Sequence, residues 1–219
     1  MSSHSVLLFW RQFVHNQTQI GAVLPSSAAL GKAATERIAR HSGPIRVLEA
    51  GPGTGSFTCE LIPRLQPGDS LDLVELSSPL TAFLHARLQR EGLLSRPGVD
   101  VRLINGNLLH FPLATRYDFI VFSLPLSNFP AAMVESLLTL MMEHLKPGGV
   151  FSYVKYAVLG ELKRRLSMGA ARADMDARQA VIASFAARYQ VGRRLVLRNL
   201  PPAWVYYWQK PLATQETTP

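Results

Sequence analysis

A single cysteine, Cys59, stands among 219 residues, so no internal disulfide can form. Together with the lack of a cleavable signal segment, this predicts a reducing, cytoplasmic compartment. The thiol itself is expected to be buried and inert. Uncharged apolar runs long enough to cross a bilayer are also missing, and no membrane-spanning segment is expected. The six histidines, at positions 4, 15, 41, 85, 110 and 144, have no spacing that would gather a ligand set with carboxylates, so no metal is expected. Acidic residues are few, 15 against 23 basic, which leaves a net charge of +8. That balance suits an acidic partner, either nucleic acid or an anionic membrane surface, although a basic solvated exterior needs no partner. Internal repeats are absent.

With 47% apolar residues, the chain can bury one substantial core. The expected organisation is one α/β domain over residues 41–211, an N-terminal covering segment over 1–40 and a tail over 212–219. The most informative stretch is Val47-Leu48-Glu49-Ala50-Gly51-Pro52-Gly53-Thr54-Gly55-Ser56-Phe57. It reads as a buried strand ending in an acid, then a turn whose glycines let a ligand lie against bare main chain and helix N–H groups. The spacing is neither that of a Walker loop nor a GxGxxG. A second strand, Leu71 to Glu75, ends in an acid at roughly the 20-residue distance from which a carboxylate accepts ribose hydroxyls in dinucleotide folds. On these two features alone, a nicotinamide-dependent enzyme remains open.

Further strands are predicted near Val101 to Asn105, Tyr117 to Ser123 and Gly149 to Tyr156. Apolar residues at helical spacing predict helices over Leu80 to Glu91, Ala131 to His144 and Arg178 to Tyr189. Such alternation implies a parallel sheet. Two β-rich runs, Arg193 to Arg198 and Ala203 to Gln209, flank Asn199-Leu200-Pro201-Pro202 and predict a terminal hairpin. One antiparallel strand is thereby expected within an otherwise parallel sheet.

The pattern E-x-G-x-G-x-G from Glu49 to Gly55 resembles the first motif of class I S-adenosylmethionine-dependent methyltransferases. The resemblance implies a Rossmann-like fold with a mostly parallel seven-stranded sheet, a C-terminal antiparallel hairpin and helices on both faces. It also implies S-adenosylmethionine as donor and S-adenosylhomocysteine as product. Glu49 would lie near the cofactor's amino group, and Gly51, Gly53, Thr54 and Gly55 along its methionine portion. Glu75 and Leu76 would hold the ribose, Asn107 and Leu108 the adenine, and Ser123 would complete the set. Asn107 stands where relatives usually carry Asp; its carbonyl oxygen can still accept the adenine amino group.

Ser123-Leu124-Pro125-Leu126-Ser127-Asn128-Phe129-Pro130 follows the fourth strand and resembles the Leu-Pro-Leu-x-Asn-Phe-Pro sequence of bacterial phospholipid N-methyltransferases. Gln19-Ile20-Gly21-Ala22-Val23-Leu24-Pro25-Ser26-Ser27 is similar to a second segment of that family. Val6, Leu7, Phe9, Trp10, Phe13 and Val14 share one face of a predicted amphipathic helix that suits a headgroup boundary, or else covers the active site. The resemblance implies stepwise methylation of the phosphatidylethanolamine amine toward phosphatidylcholine by an enzyme held at the inner face of the cell membrane. Asn128 is the candidate to orient the amine, and Tyr153 and Tyr156, at the end of the fifth strand, to offer a hydroxyl or π face to it. Lys163, Arg164, Arg165, Arg172 and Arg178 form a basic segment that either binds lipid phosphate or is a solvated helix face. An ornithine lipid or a small-molecule amine remains an alternative substrate. An RNA adenine methyltransferase is a less favoured reading, because position 123 is Ser where such enzymes usually carry Asn and no aromatic follows Pro125.

Overall fold

The computed structural model describes residues 26–38, 41–110, 113, 116–156 and 168–212. Seven strands form one sheet in the order β3-β2-β1-β4-β5-β7-β6. They are β1 (Arg46–Ala50), β2 (Ser70–Glu75), β3 (Asp100–Asn105), β4 (Tyr117–Phe122), β5 (Leu145–Tyr156), β6 (Gln190–Val196) and β7 (Ala203–Gln209). The helices are α1 (Ala28–Ala34), the single-turn α2 (Thr58–Leu61), α3 (Ser78–Arg90), α4 (Ala131–His144) and α5 (Gly169–Tyr189). None of the described helices is long and apolar enough to cross a membrane.

β1 and β2 are buried almost end to end because parallel strands at the centre of a sheet carry helices on both faces. Leu48, Ala50, Ile120, Phe122 and Phe151 pack on one face beneath α4 and α5, while Val47, Leu71, Leu73 and Val121 pack on the other with α1, α2 and α3. Fully buried Trp208, Phe122 and Phe151 anchor the first face, where truncating an aromatic to Ala typically costs about 3–5 kcal/mol. α1 is drawn into the second face: the Tyr207 hydroxyl donates to the Ala33 carbonyl and Ser152 Oγ to the Ala34 carbonyl, each at 2.7 Å.

The expected hairpin is present, with β7 antiparallel to both β5 and β6. Several boundaries differ: β5 begins at Leu145, four residues ahead of the expected Gly149, and α3 at Ser78, two ahead of Leu80. β6 covers Gln190–Val196, not Arg193 to Arg198, because an edge strand exposed along most of its length carries little of the alternation that marks a boundary. α5 begins at Gly169, nine residues ahead of the expected Arg178, because its first half is polar and alanine-rich and shows no apolar stripe.

Candidate active site

From β1 the chain passes to β2 on one side, while β4 lies on the other, which opens a crevice at the carboxyl ends of β1 and β4. Ala50 and Phe122 end β1 and β4 in register, beside Val74, the residue before the end of β2. The glycine turn leaves β1 there. Gly51 (φ 73°), Gly53 (φ 57°) and Gly55 (φ 87°) all occupy the left-handed region that a side chain disfavours. Their surroundings differ. A Cβ on Gly51 would lie 2.1 Å from Leu124 Cδ2, and one on Gly55 would lie 2.4 Å from Leu84 Cδ1. One on Gly53 would meet nothing within 4 Å, so bare main chain faces open space at the middle of the turn. Beneath the turn, Gly31 of α1 approaches so closely that a Cβ there would come within 3.0 Å of the Ser56 carbonyl oxygen.

Glu49 is wholly buried under this turn, with Thr58 Oγ1 donating to one carboxylate oxygen at 2.8 Å and Ser123 Oγ to the other at 3.2 Å. Burial raises its pKa to about 7, against these two hydrogen bonds, and nearby Glu75 adds to the rise. Glu75 ends β2, where it accepts the Gly53 N–H at 3.0 Å and the Ser77 N–H at 2.9 Å. Burial also holds its carboxyl above the ordinary value, opposed by those backbone donors. Neither acid forms an ion pair with a cation among the described residues. A crevice containing two such carboxylates favours a cationic ligand and repels a diphosphate. The residues therefore fit a sulfonium carrying an ammonium and disfavour the nicotinamide alternative.

Thr54 and Leu76 flank these two acids. The Asn105 amide, which the sequence reading passed over, ties β3 to the end of β2, donating to the Glu75 carbonyl at 2.9 Å and the Leu76 carbonyl at 3.1 Å. Asn107 and Leu108 follow β3 at the same end of the sheet. The Asn107 side-chain oxygen Oδ1 accepts the Leu109 N–H at 3.0 Å in a local turn, which leaves one lone pair for a ligand. Cys59 lies outside this group and is only partly buried; burial, then its hydrogen bond to Glu91, pushes the thiol up to about 11.

Leu124 to Pro130 continue from β4 over the crevice, and Leu124 packs against Gly51. Asn128 is exposed on this loop, within a single 3-10 turn over Leu126–Asn128. Tyr153 and Tyr156, the alternative candidates to meet the amine, point to different faces of the sheet. Both lie within β5, three residues apart and hence on opposite faces, Tyr153 stacked on Tyr206 at 5.0 Å and Tyr156 packed with the second core. Burial, then Tyr206, holds the Tyr153 phenol far above its ordinary pKa, so it remains a neutral hydroxyl.

Of the basic segment, expected either to bind lipid phosphate or to be a solvated helix face, Arg172 and Arg178 are described. Arg178 donates to the Phe129 carbonyl and contacts Asp174 at 3.3 Å, while Asp174 accepts the Ala131 N–H at 3.0 Å. Arg172 lies 3.9 Å from Asp176. Arg172 stays half exposed on the helix face, whereas Arg178 is mostly buried and clasps the loop of Leu124 to Pro130. Only Pro130, a helix cap with no side-chain acceptor, hinted at this arrangement. Lys163, Arg164 and Arg165 lie outside the described residues, as do the N-terminal helix and the segment from Gln19 to Pro25.

A family profile described as a methyltransferase domain matches residues 47–149, from β1 into β5. The ornithine lipid N-methyltransferase of Singulisphaera acidiphila is 28% identical over 153 residues, spanning 67% of this chain and 76% of that protein. In fold, the chain is similar to the N-methyltransferase NodS from Bradyrhizobium japonicum WM9 in complex with S-adenosyl-L-homocysteine. That likeness has a TM-score of 0.59 at 18% identity and covers 84% of this chain and 89% of that one. Magnesium protoporphyrin IX methyltransferase from Synechocystis PCC 6803, with S-adenosylmethionine bound, aligns with a TM-score of 0.55 at 12% identity over 77% of this chain and 71% of its own.

Proposed function

We propose that this chain is a class I S-adenosylmethionine-dependent methyltransferase that N-methylates the amine headgroup of a membrane lipid, phosphatidylethanolamine toward phosphatidylcholine. The observation that carries the reading is the contact of Leu124 with Gly51. It holds the Leu-Pro-Leu-x-Asn-Phe-Pro loop against the turn that carries the methyl donor, so acceptor and donor meet at one place. The similarity to a curated ornithine lipid N-methyltransferase supports a lipid amine as acceptor and favours the ornithine lipid as a second reading of the same chemistry.

S-adenosylmethionine supplies an electrophilic methyl on a sulfonium. The chain's own task is to bring an amine lone pair to about 3 Å in line with it and to exclude water. Gly51, Gly53, Thr54 and Gly55 offer main chain to the methionine portion, Glu49 compensates its ammonium, and Glu75 with Leu76 receives the ribose. Asn107, Leu108 and Ser123 complete the enclosure. Asn128 orients the amine through its side-chain carbonyl, which accepts one of its N–H groups. Tyr153, buried among aromatic side chains and held as a neutral phenol, supplies no proton acceptor.

The reading places the enzyme at the inner face of the cell membrane, held there by the amphipathic segment from Val6 to Val14 and the basic residues Lys163, Arg164 and Arg165. Purified protein incubated with methyl-labelled donor and vesicles of phosphatidylethanolamine, vesicles of ornithine lipid, or RNA tests it. Label is expected in lipid; label in RNA alone would overturn the proposal. Phosphatidylethanolamine labelled well above ornithine lipid decides between the two lipid readings, and the reverse ratio selects the second.

A further inference from the structure

The turn between β6 and β7 stands at the same end of the sheet as the glycine turn. β5 runs parallel to β4, and its last residue, Tyr156, pairs with Ala203 at the start of β7, so residues 197–202 project from the carboxyl end. Most large apolar side chains of the fold are buried, yet Leu197 is 70% exposed and Leu200 is 74% exposed on this short turn. Arg198, between them, is exposed and forms no ion pair among the described residues. Met168, 85% exposed, heads α5 at the same end.

The turn is held rigidly from within. Asn199 is buried, donates to the Pro201 carbonyl at 2.8 Å and accepts the Ser27 N–H at 2.9 Å. The chain leading back to the predicted amphipathic helix therefore joins the fold beside this turn. Two leucines held outward by a buried asparagine contribute nothing to the core. Burial of their apolar surface elsewhere would be favourable, and an unpaired guanidinium between them is matched by phosphate oxygens.

We propose that the β6–β7 turn docks on an anionic bilayer, with Leu197 and Leu200 entering the headgroup boundary and Arg198 meeting lipid phosphate, so that the crevice faces the membrane. Apolar side chains flanked by basic charge are the combination that partitions to such a surface. The orientation rests on the lipid-amine reading of the site; the surface itself does not.

The test uses the full chain, its Leu197→Ser/Leu200→Ser double variant and Arg198→Gln. Each is sedimented with vesicles of mixed phosphatidylglycerol and phosphatidylcholine, and with phosphatidylcholine alone. The double variant is expected to partition about tenfold less onto the mixed vesicles, with unchanged melting temperature and S-adenosylhomocysteine affinity. Arg198→Gln is expected to weaken binding to the mixed vesicles only. Unchanged partition in the double variant overturns the proposal. A lowered melting temperature with unchanged partition also overturns it and assigns the leucines to a contact within the chain, while a shift from dimer to monomer assigns them to a second copy. Turnover of a short-chain, water-soluble lipid amine separates this proposal from the function. Wild-type protein that docks through the turn but methylates no such amine sinks the lipid-amine reading and leaves the docking surface standing.

Discussion

The carboxylate of Asp174 accepts the backbone N–H of Ala131 at 3.0 Å, so that α5 caps α4 from 43 residues away. α4 has no cap of its own, because Pro130 at its N-cap brings no side-chain acceptor. A negative charge there also meets the favourable end of the helix dipole. Arg178, one turn further along α5, takes the Phe129 carbonyl. Between them the two side chains fix the end of the loop that carries Asn128.

Asp174→Ala is therefore expected to cost about 1 kcal/mol in urea unfolding, the usual loss on removing an N-cap. It should also raise the KM for the methyl acceptor several-fold and leave S-adenosylhomocysteine affinity unchanged, since Glu49 and Glu75 are untouched. Asp174→Asn keeps an acceptor oxygen and should recover most of both effects. Acceptor KM and cofactor affinity moving together would refute the assignment.

Gly51 and Leu124 form the contact between donor and acceptor elements. An alanine at 51 meets Leu124 Cδ2 at 2.1 Å and inherits a φ of 73°. Steric overpacking of about 1–3 kcal/mol adds to about 1–2 kcal/mol of backbone strain. Gly51→Ala is expected to lose about 3 kcal/mol, and Gly51→Ala/Leu124→Ala to be markedly less unstable than the sum of its single changes. Strict additivity in urea titrations would show that the two residues do not share this space.

Glu75 accepts two backbone N–H groups and is proposed to receive the ribose. Glu75→Ala should lower S-adenosylhomocysteine affinity by about a hundredfold, because hydrogen bonds to a charged acceptor contribute about 1.5–3 kcal/mol each. The 2′-deoxy analogue separates ribose contact from loop disorder: wild type should bind it more weakly than the parent, and the variant should bind the two alike. Equal discrimination in both proteins places the ribose elsewhere.

The parts legible in sequence are those whose physics is local. β1 and β2 stood out as apolar runs because both their faces are covered, and α4 was predicted residue for residue, Ala131 to His144, from its apolar stripe. The glycine turn was legible because left-handed backbone at Gly51, Gly53 and Gly55 demands that residue type. The clasp was not, since Asp174 and Arg178 read as an ordinary i,i+4 pair until α5 is laid against α4. Asn105 escaped for a related reason: its amide serves β2, a neighbour in the sheet and not in the chain. Tyr153 and Tyr156 stood as alternatives in sequence, and the two-residue period of a strand puts them on opposite faces.

Glu49 makes the site sensitive to pH in two opposite ways. Its pKa is about 7 in the folded protein against an ordinary 4.5, so the ionised form is disfavoured by folding. Between those values the folded state binds more protons than the unfolded one, and stability falls as pH rises. Below pH 4.5 Glu49 imposes no penalty; above about 7 the penalty is complete, on the order of 3 kcal/mol. Glu49→Gln should accordingly stabilise the ligand-free protein at pH 8 and flatten this dependence. The ammonium of S-adenosylhomocysteine reverses the preference, because a cation beside Glu49 favours the carboxylate. Affinity is therefore expected to fall about tenfold from pH 8 to pH 6 as the group must give up a proton before binding. Calorimetry in buffers of differing ionisation enthalpy should register proton release near pH 6 and none near pH 8. An affinity unchanged across that range in wild type, or a decline that persists in Glu49→Gln, would show that Glu49 does not face the cofactor's charge.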